Sequence, residues 1–170
     1  MFEVLKYILP SVIVFITTFY ILHSYFEDQD KKRRVKTSLK NRKLITPIRL
    51  QAYERVILFL ERINPESLIL RISQPGMNSQ QLQSEMLVSI RAEFEHNLSQ
   101  QLYLTNDAWN MIKNARSNTV KLINLASDKI PGDTPYHHLS SAILEMVMEA
   151  EQTPSSIAID FLKKEVQTLF

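Results

Sequence analysis

The chain has 170 residues, 45% of them hydrophobic and 22% charged, and a formal net charge of +2. This length allows one ordinary domain, and the composition argues against a disordered chain. The lack of cysteine excludes disulfides, thiolate metal sites and cysteine nucleophiles, and the two glycines, Gly76 and Gly132, lie too far apart for a Walker loop, a dinucleotide-binding turn or a nucleophile elbow.

The first predicted element is a transmembrane helix. Residues 7–26 contain no Asp, Glu, Lys or Arg, and at about 1.5 Å per residue they give about 30 Å, the thickness of a bilayer's hydrocarbon core. Tyr7, Tyr20 and Tyr25 lie where interfacial aromatic residues are expected. A cleavable signal peptide would have a basic start and a small-x-small site, and a buried helix of a soluble protein rarely runs this long without a charge. We therefore assign residues 1–30 to a membrane anchor.

A wholly basic segment follows the anchor. Residues 31–49 hold nine lysines and arginines and no acid, whereas residues 1–30 carry a formal charge of −3 and residues 50–170 one of −4. Lysine and arginine close to a span stay on the cytoplasmic side. We therefore expect the N-terminus outside, the C-terminal domain in the cytoplasm, and residues 31–45 as a basic juxtamembrane linker.

The basic segment also predicts a contact surface. Because a spanning helix already anchors the chain, extra lipid affinity adds little, and a topology signal with a solvated linker is the simpler interpretation. Anionic lipid headgroups or an acidic partner are the contacts expected of it. Nucleic acid is an alternative, since phosphate contacts give non-specific affinity, although the segment has no aromatic residue to stack on bases. The residues assigned to this contact are Lys31, Lys32, Arg33, Arg34, Lys36, Lys40, Arg42 and Lys43.

Residues 46–170 have the start signals of a helical domain. An N-capping residue followed by proline at the first helical position marks a helix start. Four such pairs occur: Thr46-Pro47, Asn64-Pro65, Thr134-Pro135 and Thr153-Pro154. Two further starts are expected at Thr105, with Asp107 in the first turn, and at Asn78 or Ser79.

Apolar residues recur at intervals of three and four throughout this domain, which is typical of amphipathic helices. Leu58 and Phe59 widen the apolar face of its first helix, which predicts a central position for that helix. The fold class is therefore all-α: one N-terminal transmembrane helix and a cytoplasmic bundle of five or six helices. Two points stay open, namely whether the third helix curves or breaks near His96-Asn97, and whether residues 67–73 form helix or strand.

No catalytic, metal or cofactor site is predicted. Glu93-x-x-His96 has the spacing of a di-iron bundle ligand pair, but such a site needs a second pair that the sequence lacks. A metal cluster of His137 and His138 with two glutamates, or a triad of Asp133, His137 and Ser140, rests only on closeness in sequence, and these sites are built in three dimensions.

Three segments carry a resemblance to other proteins. They are Ile45-Thr46-Pro47-Ile48-Arg49-Leu50-Gln51-Ala52-Tyr53-Glu54-Arg55, Gln74-Pro75-Gly76-Met77 and Glu93-Phe94-Glu95-His96-Asn97-Leu98-Ser99-Gln100-Gln101. Here the chain resembles an uncharacterised family of bacterial single-span inner-membrane proteins with a helical cytoplasmic domain. The resemblance implies a bacterial inner membrane setting and no particular activity.

These patterns lead to three hypotheses about function. The first is an accessory or scaffold protein of the inner membrane, whose helical cytoplasmic domain binds a partner protein. The second is a ribosome-binding or RNA-binding module tethered at the membrane through residues 31–43. The third, a membrane-tethered enzyme that uses histidines and carboxylates of the domain, has the least support, and we expect no enzyme activity.

Overall fold

The computed structural model is all-helical over the residues it describes, which are 2–169 for the backbone and 14, 15, 17–25, 29, 36 and 43–169 for the side chains. Within this part of the chain there is no strand, only an isolated bridge between Asn78 and Pro135. The expected all-α fold is confirmed to that extent. The elements are α1 (Phe2–Arg62), α2 (Pro65–Ile72), α3 (Ser79–Asn97), a 3₁₀ helix (Leu98–Leu102), α4 (Asn106–Ser127), α5 (Tyr136–Glu149) and α6 (Pro154–Leu169).

The predicted transmembrane helix falls within α1. Among the residues whose side chains are described, no helix combines the length and the hydropathy that a membrane crossing requires. The expected span at residues 7–26 includes side chains at 7–13, 16 and 26 that lie outside the described residues. The backbone there is helical, but the span itself is unsupported by the structure and stays a prediction.

The helix start predicted at Thr46-Pro47 is wrong. The backbone is helical on both sides of Pro47, and α1 continues to Arg62. Proline inside a helix removes one backbone donor, which costs about 3 kcal/mol and does not forbid the helix when the flanking turns are stable. The contacts of the chain nevertheless divide it into two compact units, Met1–Ile45 and Thr46–Phe170.

Most of the other predicted starts are confirmed, because their hydrogen bonds are local. Helix α2 begins at Pro65, and Thr105 and Thr153 cap α4 and α6 by accepting from the backbone amides of Ala108 and Ser156, both at 3.1 Å. Asn78, rather than Ser79, caps α3. Helix α5 begins one residue late, at Tyr136, so that Pro135 is its N-cap and Thr134 lies in the preceding turn.

The structure also resolves the two open points. Residues 65–72 form helix α2, so the weak alternation there does not mark a strand. The long helix breaks at Asn97, where a 3₁₀ helix takes over. The buried Asn97 side chain donates from Nδ2 to the carbonyl of Glu93 at 2.8 Å, and this bond closes the last turn of α3.

The unit Thr46–Phe170 encloses one hydrophobic core. Helix α4 packs against α6, α3 and α5, and α2 packs against α3 and α5. The part of α1 that follows Pro47 contributes several fully buried side chains, and burial of each Val, Leu or Phe among them is worth about 1.5–3 kcal/mol. Those of α1 with less than 2% exposure are Ala52, Tyr53, Val56, Phe59 and Leu60.

Candidate functional site

An open groove lies between α1 and the C-terminal half of α3, with a cavity volume of about 460 Å³. It forms because residues three and four apart on each helix share a face, so that two short rows of side chains oppose each other. The row on α1 is Arg55, Leu58, Phe59 and Arg62, and the row on α3 is Ala92, Glu93, His96 and Asn97.

Phe59 forms the floor of the groove and is the first ring of an aromatic column. Phe59 is buried, and its ring centroid lies 5.9 Å from that of Phe94, which in turn stacks on Trp109 at 5.6 Å. The guanidinium of Arg116 lies 4.3 Å from the Phe94 ring centroid. Aromatic pairs of this kind add about 0.5–1.5 kcal/mol each beyond the area they bury, and a cation over a ring adds a similar amount. The floor is therefore fixed by contacts from three helices.

Glu93 neutralises charge at one end of the groove. Its Oε1 accepts from Arg62 Nε at 2.6 Å and from Arg71 Nη1 at 3.1 Å. Arg71 also donates through Nη2 to the carbonyl of Arg62 and to Ser89 Oγ, both at 3.1 Å. Burial alone would raise the pKa of Glu93, but the hydrogen bonds and charges of the two arginines outweigh burial and hold its pKa below the usual value of 4.5. Glu93 is therefore ionised at neutral pH, and its carboxylate is already paired with two arginines.

Beyond Arg62, the α1 row of the groove combines a cation with an exposed apolar side chain. Leu58 is 61% exposed, although its neighbour Phe59 is buried. The exposed Arg55, one turn earlier on α1, makes no hydrogen bond or ion pair with any described residue. Arg62 is paired with Glu93. Arg55 is therefore the arginine of the groove lining whose charge no described side chain neutralises, and it is available to a ligand.

Leu58 corrects an expectation drawn from the sequence. The apolar pair Leu58 and Phe59 was expected to widen the buried face of α1, but the structure buries only Phe59. Helical spacing places Leu58 at the edge of that face, where it stays largely exposed. The groove was therefore not predicted from the sequence. The signal that could have indicated it is an apolar residue with Arg55 and Arg62 one turn away on either side.

A second polar cluster joins α1, α4 and α6. Tyr53 donates its hydroxyl to Glu165 Oε2 at 2.9 Å, and Thr105 donates to Glu165 Oε1 at 2.5 Å while capping α4. Burial raises the pKa of Tyr53, and the hydrogen bond to Glu165 raises it further. These bonds satisfy a buried hydroxyl and a helix N-terminus, so the cluster has a structural role.

The eight basic residues assigned to lipid or an acidic partner lie on the helical backbone of α1. The side chains of Lys36 and Lys43 are exposed. Those of the other six residues lie outside the described part of the chain, so their contact role stays a prediction: Lys31, Lys32, Arg33, Arg34, Lys40 and Arg42.

The weaker chemical patterns can be placed as well. Glu93 and His96 both line the groove, but Glu93 is paired with two arginines. His137 and His138 are exposed in the first turn of α5, with ring centroids 4.5 Å apart. Ser140 donates to the carbonyl of Tyr136 at 3.2 Å, an ordinary bond within a helix. No group of three metal-ligating side chains occurs among the residues that the structure describes.

Comparison with known proteins gives one match. A model described as a family of unknown function, DUF7935, matches residues 1–169. No curated protein and no solved structure matches the chain. The expected membership of a family without an assigned activity is confirmed, whereas the bacterial origin and the membrane setting stay predictions.

Proposed function

We propose that this chain, which belongs to the DUF7935 family, is a single-pass inner-membrane protein whose helical domain binds a partner protein, as an accessory or scaffold subunit. The observation that carries the proposal is the groove between α1 and α3, where Leu58 is 61% exposed beside an arginine without a partner in the described residues. Exposed apolar side chains with flanking arginines on a fixed floor are typical of protein interaction sites.

The membrane part of the proposal is supported by the sequence. Residues 7–26 lack Asp, Glu, Lys and Arg, and residues 31–49 hold nine bases and no acid. This order predicts an N-terminus outside and the domain in the cytoplasm, and the family resemblance implies a bacterial inner membrane. The basic residues 31–43 then lie at the headgroups, where each contributes about 1 kcal/mol of attraction to anionic lipid.

The anchor is tested by membrane extraction of the full chain expressed in bacteria. We expect it to stay in the membrane pellet after washing at alkaline pH, and a variant with Leu22 and Phe19 both changed to Arg to be released. A cysteine introduced at position 2 should react with an impermeant maleimide in intact cells, and one introduced at position 151 should react only after lysis. A wild-type chain that washes off the membrane would contradict the anchor.

The partner site is tested by co-purification of the full chain in detergent from its native host. We expect one or more proteins to co-purify with the wild type and to be lost from Arg55→Glu and Leu58→Asp. The matched controls are Arg91→Glu on the exposed side of α3 and Leu125→Asp on α4, where Leu125 is 54% exposed. Equal recovery by the groove variants and the controls would remove the groove from the proposal.

The second candidate function, a module for ribosomes or RNA at the membrane, is favoured by the nine-base run alone. Phosphate contacts from such a run give affinity that falls steeply with salt. Co-sedimentation of the full chain with ribosomes should then decrease when the eight bases at 31–43 are changed to Gln. Unchanged sedimentation of that variant would contradict the role of these residues in RNA binding.

A further inference from the structure

The C-terminal half of α5 presents an acidic face around an exposed methionine. Glu145, Met148 and Glu149 are spaced at i, i+3 and i+4, which places them on one side of the helix, and all three are exposed. Met148 is 80% exposed. The opposite side of the helix carries Ile143 and Val147, which are buried in the core. The acidic face therefore points away from the domain.

The turn after α5 extends this surface. Glu151 is exposed and has a φ of +56°, so it ends the helix in a left-handed conformation. None of Glu145, Glu149 and Glu151 forms an ion pair with a described residue. The face thus offers three carboxylates without partners around one long and flexible apolar side chain.

This face and the groove are opposite in charge, and the groove has room for the apolar side chain of the face. The groove lining carries two arginines against a single carboxylate, Glu93, which is already paired. The α5 face carries only carboxylates. Methionine fits irregular apolar cavities because it is unbranched and polarisable, and a cavity of about 460 Å³ has ample room for its side chain above Phe59.

We propose that the groove between α1 and α3 binds the α5 face of a second copy of this chain, with Met148 in the cavity and Glu149 at Arg55. The inference rests on the proposed function and names the partner of the same groove. The two surfaces differ, so the contact is heterologous, and each copy keeps a free groove or a free α5 face for the next copy. Repetition of this contact would build a chain of subunits, the arrangement expected of a scaffold.

The test uses the full chain in detergent, carrying two different affinity tags, with sedimentation velocity over a range of concentrations. We expect self-association that weakens between 0.1 and 0.5 M salt, because exposed charge pairs are screened. Arg55→Glu and Glu149→Arg should each weaken it on the order of tenfold, since each places like charges opposite one another. Met148→Ala should weaken it without loss of helical circular dichroism.

A mixture of the two charge variants gives the sharpest result. The groove of the Glu149→Arg chain and the α5 face of the Arg55→Glu chain are both unaltered, so the mixture should regain co-precipitation between the two tags. Arg91→Glu and Asp160→Arg, which alter exposed charges elsewhere, serve as controls and should associate like the wild type.

Two results would overturn the inference. One is a wild-type chain that remains monomeric at every concentration, and the other is a mixture that fails to regain association. If the chain is monomeric while Arg55→Glu still loses a co-purifying protein from the native host, the proposed function stands and only the second copy is excluded. If self-association depends on neither surface, the second copy is excluded as the occupant, and the co-purification test of Arg55→Glu decides separately whether the groove binds another protein.

Discussion

Glu93 determines the charge of the groove at neutral pH, because it accepts hydrogen bonds from two arginines that would otherwise face each other. Its side chain is 17% exposed, whereas those of Arg62 and Arg71 are 55% and 34% exposed. Solvent can therefore compensate the arginines in part when the carboxylate is lost. We expect Glu93→Gln to lower the free energy of unfolding by about 1 kcal/mol at pH 7.

This loss should depend on pH. The arginines hold the folded-state pKa of Glu93 below 4.5, so the stabilisation is complete above the unfolded-state pKa and disappears as the pH falls through the lower folded-state pKa. Urea unfolding followed by the fluorescence of Trp109 measures it, and the wild type and Glu93→Gln should converge only once the pH lies below the lowered folded-state pKa of Glu93. Glu95→Gln, on the same helix, is the control. A difference that persists in acid would show that the ion pair is not its cause.

Glu151 is the one non-glycine residue of the described chain with a positive φ. Its Cβ makes the left-handed conformation costly by about 1 kcal/mol, and glycine removes that cost. The greater backbone entropy of glycine in the unfolded state offsets part of this gain. We therefore expect Glu151→Gly to raise the free energy of unfolding by about 0.5 kcal/mol. Glu151→Ala, which keeps the Cβ and removes the charge, should give no such increase in the same urea titration. Equal stabilisation by both variants would point to charge instead of backbone strain.

At the scale of the element, helix α3 depends on a reciprocal cap. Asn78 Oδ1 accepts from the amide of Gln81 at 2.8 Å, and Gln81 Oε1 accepts from the amide of Asn78 at 3.0 Å. We expect Asn78→Ala to cost about 1 kcal/mol of unfolding free energy, and Gln81→Ala to cost less because the side-chain cap remains. Thermal unfolding by circular dichroism gives both values. Gln80→Ala, an exposed neighbour outside the cap, controls for helix propensity, and a cost equal to that of Asn78→Ala would contradict the cap.

Caps of this kind could be predicted from the sequence, because donor and acceptor lie within three residues of each other. Asn78, Thr105 and Thr153 all cap helices as expected. Thr46-Pro47 has the same signature and starts no helix, since a cap requires that the preceding residues are not helical, and here they are. A local signature therefore predicts which side chain can cap a helix, but not whether a helix begins there.

The groove shows the opposite limit. Arg71 and Glu93 are 22 residues apart, and Arg62 and Glu93 are 31 apart, so no spacing rule connects them. The exposure of Leu58, 61%, likewise depends on how the other helices pack against α1, which the sequence of α1 does not contain. Helical periodicity predicted which faces are apolar, and only the packing of α1 against α3 decided which apolar residue stays exposed.

At the scale of the whole molecule, the part of α1 after Pro47 belongs with the helical domain. Every buried hydrophobic residue of the described chain lies between Ala52 and Leu162. We therefore expect a fragment of residues 46–170 to fold without the rest of the chain and to unfold cooperatively, with the fluorescence of Trp109 and the helical circular dichroism changing together.

A shorter fragment of residues 64–170 is the matched comparison. It keeps α2 to α6 but loses Tyr53, Phe59 and Leu60 from the core, and a single large-to-small change at such a position already costs about 2–5 kcal/mol. Since a whole domain is stable by only about 5–15 kcal/mol, the shorter fragment should not fold cooperatively. Cooperative unfolding of both fragments at the same urea concentration would mean that α1 is an accessory to the core, and the groove would then lie between a helix and a domain that folds without it.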